Sequence, residues 1–280
     1  IGWELSLGWN DRLENGFSYW VKGVLSDYQA TITKYAGNDA GFYSQSDGDG
    51  KYYVGQKIGE IWGYHSNGLF QSDDEAATID QSELYAGKWG AGDVKYEDLD
   101  GDGKITKGEE TIYNPGDKSI IGNKTPRYQF GITVGFDYKN FDFEMFWQGT
   151  GKRDYMLSGA QFWGFTSQWD VPYTPALDYW TETNTDAYFP RPGWQNGGNR
   201  VTSDRYLQSA AYGRLKNLTV GYTIPKNLTT KWGISRLRLY VTGENLLTIT
   251  PLNDAFDPET LGGLTYPINR KVAIGLNLTL

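Results

Sequence analysis

The densest chemistry in this sequence is a run of hard oxygen donors, Asp98-Leu99-Asp100-Gly101-Asp102-Gly103-Lys104-Ile105-Thr106-Lys107-Gly108-Glu109. Asp98, Asp100 and Asp102 fall at positions 1, 3 and 5 of a loop that closes on Glu109 at position 12. Gly103 at position 6 permits a sharp turn, Lys104 at 7 offers its backbone carbonyl, and Ile105 at 8 packs inward. This is the pattern of an EF-hand-type calcium loop, with Thr106 acting through water. Oxygen ligands in this number suit Ca²⁺ rather than Zn²⁺. The spacing predicts a Ca²⁺ ion held by Asp98, Asp100, Asp102, the Lys104 carbonyl and Glu109. Gly92-Asp93 before the loop and Pro115-Gly116 after it leave no room for the flanking helices of a sensor, so the loop reads as a structural clip. A second run, Asp47-Gly48-Asp49-Gly50-Lys51, lacks the closing glutamate and reads as a flexible turn.

Other chemistries are thinner. The chain has no cysteine, which removes disulfides, thiolate metal sites and a cysteine nucleophile. Its only histidine is His65, so any Ser-His-Asp arrangement must use it; a hydrogen-bonded loop residue is the simpler expectation. Asp142 and Glu144 are alternate residues of one strand, which a glycosidase could use if a cleft held them at the right separation. Polar lining is the simpler role for them. The net charge of -8 argues against a nucleic-acid partner. Aromatic residues make up 16% of the chain and crowd the 150–211 stretch. Trp163, Trp169, Trp180 and Trp194 there could stack on a ligand or grip a protein lid, or could build the stretch's own small core.

Positioning these groups falls to strands. Val272, Ile274, Leu276, Leu278 and Leu280 alternate with polar or small residues, as do Tyr128 to Tyr138 and Phe141 to Trp147. Trp3, Leu5, Leu7 and Trp9 repeat the pattern, and so do Leu237, Leu239 and Val241. Leu215 is out of phase with Leu218, Val220 and Tyr222, which predicts a bulge near Lys216-Asn217. The alternation counts to about seven strands, too few to close a membrane barrel, so the chain is expected to be the last part of a bigger one. Short turns alternate with long connections over 26–127, 150–211 and 247–270, the habit of outer-membrane barrels. Mean hydropathy of -0.57 does not oppose this, because barrel strands alternate and their loops are polar. Ser72-Asp73-Asp74-Glu75 predicts a capped short helix running toward Leu84.

Several stretches together resemble one family. They are Ile61-Trp62-Gly63-Tyr64 with Asn67-Gly68-Leu69-Phe70-Gln71-Ser72, and Gly92-Asp93-Val94-Lys95-Tyr96 leading into the Asp98–Glu109 loop. Ile121-Gly122 with Pro126-Arg127-Tyr128, and Phe141-Asp142-Phe143 running to Gln148-Gly149, follow in order. Arg214-Leu215-Lys216-Asn217-Leu218-Thr219-Val220-Gly221-Tyr222 and Val241-Thr242-Gly243-Glu244-Asn245-Leu246 complete the set. The chain is similar to the C-terminal portion of SusC/RagA-family TonB-dependent outer-membrane transporters. The resemblance implies the closing strands of a transmembrane antiparallel β-barrel of about 22 strands with long extracellular loops, whose plug, TonB box and earlier strands lie outside these residues. It implies TonB-dependent import of glycans or peptides, no enzymatic activity, a SusD-like surface lipoprotein as partner, and outer-membrane lipid around the wall.

The expected division is therefore wall at 1–25, 128–149, 212–246 and 271–280, the calcium-clipped loop at 26–127, the aromatic loop at 150–211 and a third loop at 247–270. The alternative is a soluble, calcium-stabilised carbohydrate-binding β-sandwich using the same tryptophans.

Overall fold

Alternating residues become long antiparallel strands because successive Cβ atoms leave opposite faces of the backbone. The computed structural model describes residues 1–43, 52–86, 88–193, 195–261 and 266–280. In chain order the strands are β1 (Gly2–Arg12), β2 (Ser18–Tyr28), β3 (Glu60–Tyr64), β4 (Ser66–Leu69) and β5 (Val94–Tyr96). Then come β6 (Lys118–Asn123), β7 (Arg127–Tyr138), β8 (Phe141–Lys152), β9 (Asp154–Met156) and β10 (Leu207–Ser209). The chain ends through β11 (Tyr212–Thr223), β12 (Arg236–Ile249) and β13 (Lys271–Thr279).

Seven of these make one sheet in the order β1-β2-β7-β8-β11-β12-β13, every neighbour antiparallel. Its two faces differ in kind. Tyr19, Phe136, Phe143, Val220, Val241 and Ile274 stand side by side in one row across six strands. Trp9, Val21, Val134, Met145 and Leu218 form the next row. Many of these apolar side chains are exposed, among them Trp9, Val21, Val220, Leu239, Val241 and Ile274. The opposite face carries the row Trp20, Gly135, Glu144, Thr219, Thr242 and Ala273. The phase break at Lys216 appears as a register shift between Leu215 and Asn217 against both neighbours.

The buried core lies outside this sheet. Tyr64, Val94 and Ile105 pack in one cluster with Phe162, Trp163, Trp180, Phe189 and Tyr206, and with Leu252 and Leu261. These residues come from all three long connections, so the connections fold as one body. β3 pairs with β6, β4 with β5, and β9 with β10 inside it. Asp93 ties the body together from a fully buried position. Its carboxylate accepts from Gly90 N at 2.9 Å, Arg191 Nη2 at 2.9 Å, Asn196 Nδ2 at 3.1 Å and Asn199 Nδ2 at 2.9 Å. A buried charge is tolerated only when it is paired in this way.

The single helix expected from Ser72 toward Leu84 is corrected to two short turns of helix, Asp73–Ala76 and Ser82–Tyr85. Thr78 Oγ1 donates to Glu75 O at 2.7 Å, and Asp80 turns away to bridge Lys104, which divides them.

Candidate metal centre

The acidic loop follows β5 and its backbone curls around its own carboxylates. Asp98 accepts from Gly101 N at 2.7 Å and Gly103 N at 2.8 Å, and Asp102 accepts from Lys104 N at 2.8 Å. Gly103 has φ +84°, in the left-handed region that glycine enters without penalty. Ile105 is buried in the core cluster, and its N–H donates to Asp80 O at 2.7 Å. The hydrophobic residue thus anchors the loop, as the spacing predicts.

Among the described residues, carboxylate oxygens of Asp98, Asp100 and Asp117 lie within 4.8 Å of one another. Asp102 and Glu109 are not in that group, and Glu109 is exposed. Asp117 is a residue the motif count misses. The chain leaves after Thr106, makes an excursion over 107–116, and returns with Asp117 N donating to Thr106 O at 3.0 Å. The fully buried Asp117 carboxylate accepts from Leu99 N and Thr106 N, each at 2.7 Å. Burial pushes its pKa up, and the neighbouring Asp100 and Asp98 push the same way. The Gly103 N–H foremost holds Asp98 below the usual carboxylate range. Three converging carboxylates, one of them buried, form a donor set that fits a hard divalent cation.

The tryptophans divide. Trp163 and Trp180 are each 8% exposed and belong to the core. Trp163 meets Tyr206 edge-on at 4.6 Å between centroids. These two rings are used in packing, not at the surface. Trp169 is 83% exposed, near the exposed Val171 and Tyr173. Trp194 lies outside the described residues, as does the second acidic run at 47–51.

The remaining candidates are committed elsewhere. Asp142 holds Arg238 in a two-pronged ion pair across the polar face of the sheet. His65 Nε2 lies 2.7 Å from Ser119 Oγ, and His65 Nδ1 lies 2.8 Å from Asp204 Oδ2. The atoms follow the order of a Ser-His-Asp relay. However, Ser119 sits inside the paired strand β6 rather than on a sharp turn, so the arrangement acts as a tie between two of the long connections.

No protein-family model matches the sequence. Individual relatives do. Over 245 residues, 80% of the chain, it is 34% identical to TonB-dependent receptor P3 of Formosa agariphila. Over 190 residues, 65% of the chain, it is 26% identical to TonB-dependent receptor SusC of Bacteroides thetaiotaomicron. The chain belongs to the SusC/RagA-type TonB-dependent receptors. This TonB-dependent receptor chain spans 22% of the first relative and 17% of the second. Its fold superposes on a chain of the RagAB peptide transporter with a TM-score of 0.73, at 18% identity, over 99% of this chain and 29% of that one. The antiparallel sheet is therefore a section of that barrel architecture. Its relatives are named as receptors, not as enzymes, and the pairing of Asp142 with Arg238 is in keeping with a structural role.

Proposed function

We propose that the chain supplies part of the wall and the outer loops of an outer-membrane transporter. In this reading the full protein imports oligosaccharides or peptides with energy drawn from TonB, beneath a SusD-like surface lipoprotein. One observation carries it: an apolar lattice stays exposed across a seven-stranded antiparallel sheet whose other face is polar. Water would penalise that lattice, whereas lipid accepts it. The body built from the long connections then faces the outside, and the short turns face the periplasm. A soluble sugar-binding sandwich would need a second sheet over the apolar face, and among the described residues that face stays uncovered.

The test is deletion of the full-length gene in its host. Uptake of labelled peptides or oligosaccharides should fall, and the protein should fractionate with the outer membrane. Unchanged uptake of both ligand classes, or a protein released without detergent, would sink the reading.

Within it, Ca²⁺ is the ion we assign to the acidic loop. Asp98, Asp100 and Asp117 would hold it, with Asp102 and the Lys104 carbonyl completing the oxygen set and Glu109 outside it. The ion would supply positive charge that offsets three carboxylates and would fasten the Asp117 return of the chain to the loop. That clip would hold Ile105 in the core and so brace the outer body.

A further inference from the structure

We infer that Arg214 and Lys216 on the wall and Asp257 and Glu259 on the outer body form a releasable latch, which holds the 253–260 segment over the polar face of the sheet. The inference rests on contacts within the chain and goes beyond the import reading.

Local structure sets the two halves. Arg214 stands level with Gln148 and Thr248 on the neighbouring strands. Gln148 follows Glu144 by an even count along β8, so this row belongs to the polar side. Lys216 is the extra residue of the β11 bulge, and a bulge re-aims the side chain it carries. In the other half, Glu259 N donates to Asp257 Oδ1 at 2.9 Å, and Thr260 N donates to Asp257 O at 3.1 Å. That turn sets two carboxylates, two residues apart, opposite two cations with the same spacing. Arg214 Nε donates to Thr248 Oγ1 at 2.9 Å, and its Nη2 donates to Asp257. Arg214 Nη1 lies 3.2 Å from Glu259 Oε2, and Lys216 Nζ donates to the same oxygen at 3.1 Å.

The apolar residues of the same stretch turn the other way. Leu252 and Leu261 are buried in the core of the outer body, and Phe256 packs against that core, 6.2 Å from Phe162 between centroids. Asn253 N donates to Gln208 Oε1 of β10 at 3.0 Å. The segment is thus fastened to the body by apolar packing and to the wall by ions. Water reaches the ionic side: the Asp257 and Glu259 side chains are 29% and 19% exposed, against 2% for Arg214. Arg214 Nη1 makes no hydrogen bond in the closed latch, and a buried donor left unmade opposes closure. Opening hydrates that nitrogen and gives up the ion pairs. These opposing costs give the mouth of the polar face a covered and a cleared state, with the body core and the wall sheet intact in both.

The experiment is hydrogen exchange on the full-length protein in detergent, comparing the parent with Lys216→Glu, Glu259→Lys and the two together. Each single reversal should quicken exchange over 253–260 about tenfold or more, and the double reversal should restore it. Exchange in β3, β11 and β12 should stay as in the parent. Single reversals that leave 253–260 unchanged, or a double reversal that does not restore it, would overturn the latch. Quickening that spreads into β3, β11 or β12 would overturn it as well, because the four charges would then be one part of a single cooperative fold. None of these outcomes depends on what the full protein imports, so failure of the latch leaves the import reading standing.

Discussion

Two carboxylates show how much a single side chain's surroundings decide. Glu109 ends the acidic loop and Asp117 lies beyond it, yet of the two only Asp117 converges with Asp98 and Asp100. Calcium titration of the full-length protein should therefore find Asp117→Asn weakened at least about tenfold, and Glu109→Gln close to the parent. Limited proteolysis over 98–117 should follow the same order. Glu75 gives a second residue-scale prediction. Ser72 Oγ accepts from Glu75 N at 3.1 Å, while the Glu75 carboxylate accepts from Gln71 N at 2.7 Å and Lys95 Nζ at 2.9 Å. The Gln71 N–H first, then Lys95, hold this carboxyl below its ordinary 4.5. A lowered acid adds stability above its unfolded value and loses it as pH falls through the folded one. Hydrogen-exchange protection over 71–77, taken relative to the rate of an unstructured chain at the same pH, should fall as pH drops below about 4.5, and Glu75→Gln should flatten that dependence.

At the scale of elements, the wall strands pack large rings over glycines on the polar face. A Cβ at Gly135 would lie 2.1 Å from Trp20 Cζ2, and one at Gly275 would lie 2.1 Å from Tyr240 Cζ. The glycines are thus the floor on which the rings lie, an arrangement that fixes register between neighbouring strands. Gly135→Val should cost about 1–3 kcal/mol by overpacking. Trp20→Ala in the same chain should recover most of the loss. Refolding of the full-length barrel into lipid, followed by denaturant titration, would measure both.

For the whole molecule, the division of labour is between a wall with its apolar side outward and a loop body with the buried core. Val241 and Thr242 are adjacent and face opposite ways, which allows a paired test. Val241→Arg on the apolar face should cost about 2–4 kcal/mol near the lipid midplane. Thr242→Arg should cost much less, since it points to the polar side, although it breaks the 2.9 Å contact between the Thr242 and Thr219 hydroxyls. Equal losses would show that the apolar face does not meet lipid.

Strand direction and facing are local properties, and they were legible in the residues. Alternation from Phe141 to Trp147 or from Leu237 to Val241 is enough, because each Cβ is set by the one before it. The bulge beside Lys216 was legible for the same reason, as a break in phase. The turn at Asp98–Lys104 was also local, since an Asp-x-Asp-x-Asp-Gly run bonds to its own backbone. What the tertiary structure decided depends on contacts between distant residues. Asp117 reaches Asp98 and Asp100 of the acidic loop because the 107–116 excursion folds back, and no fixed count along the chain anticipates that return. Trp163 and Trp180 are core and Trp169 is surface because three connections share one interior, and that partition exists only once all three are packed together.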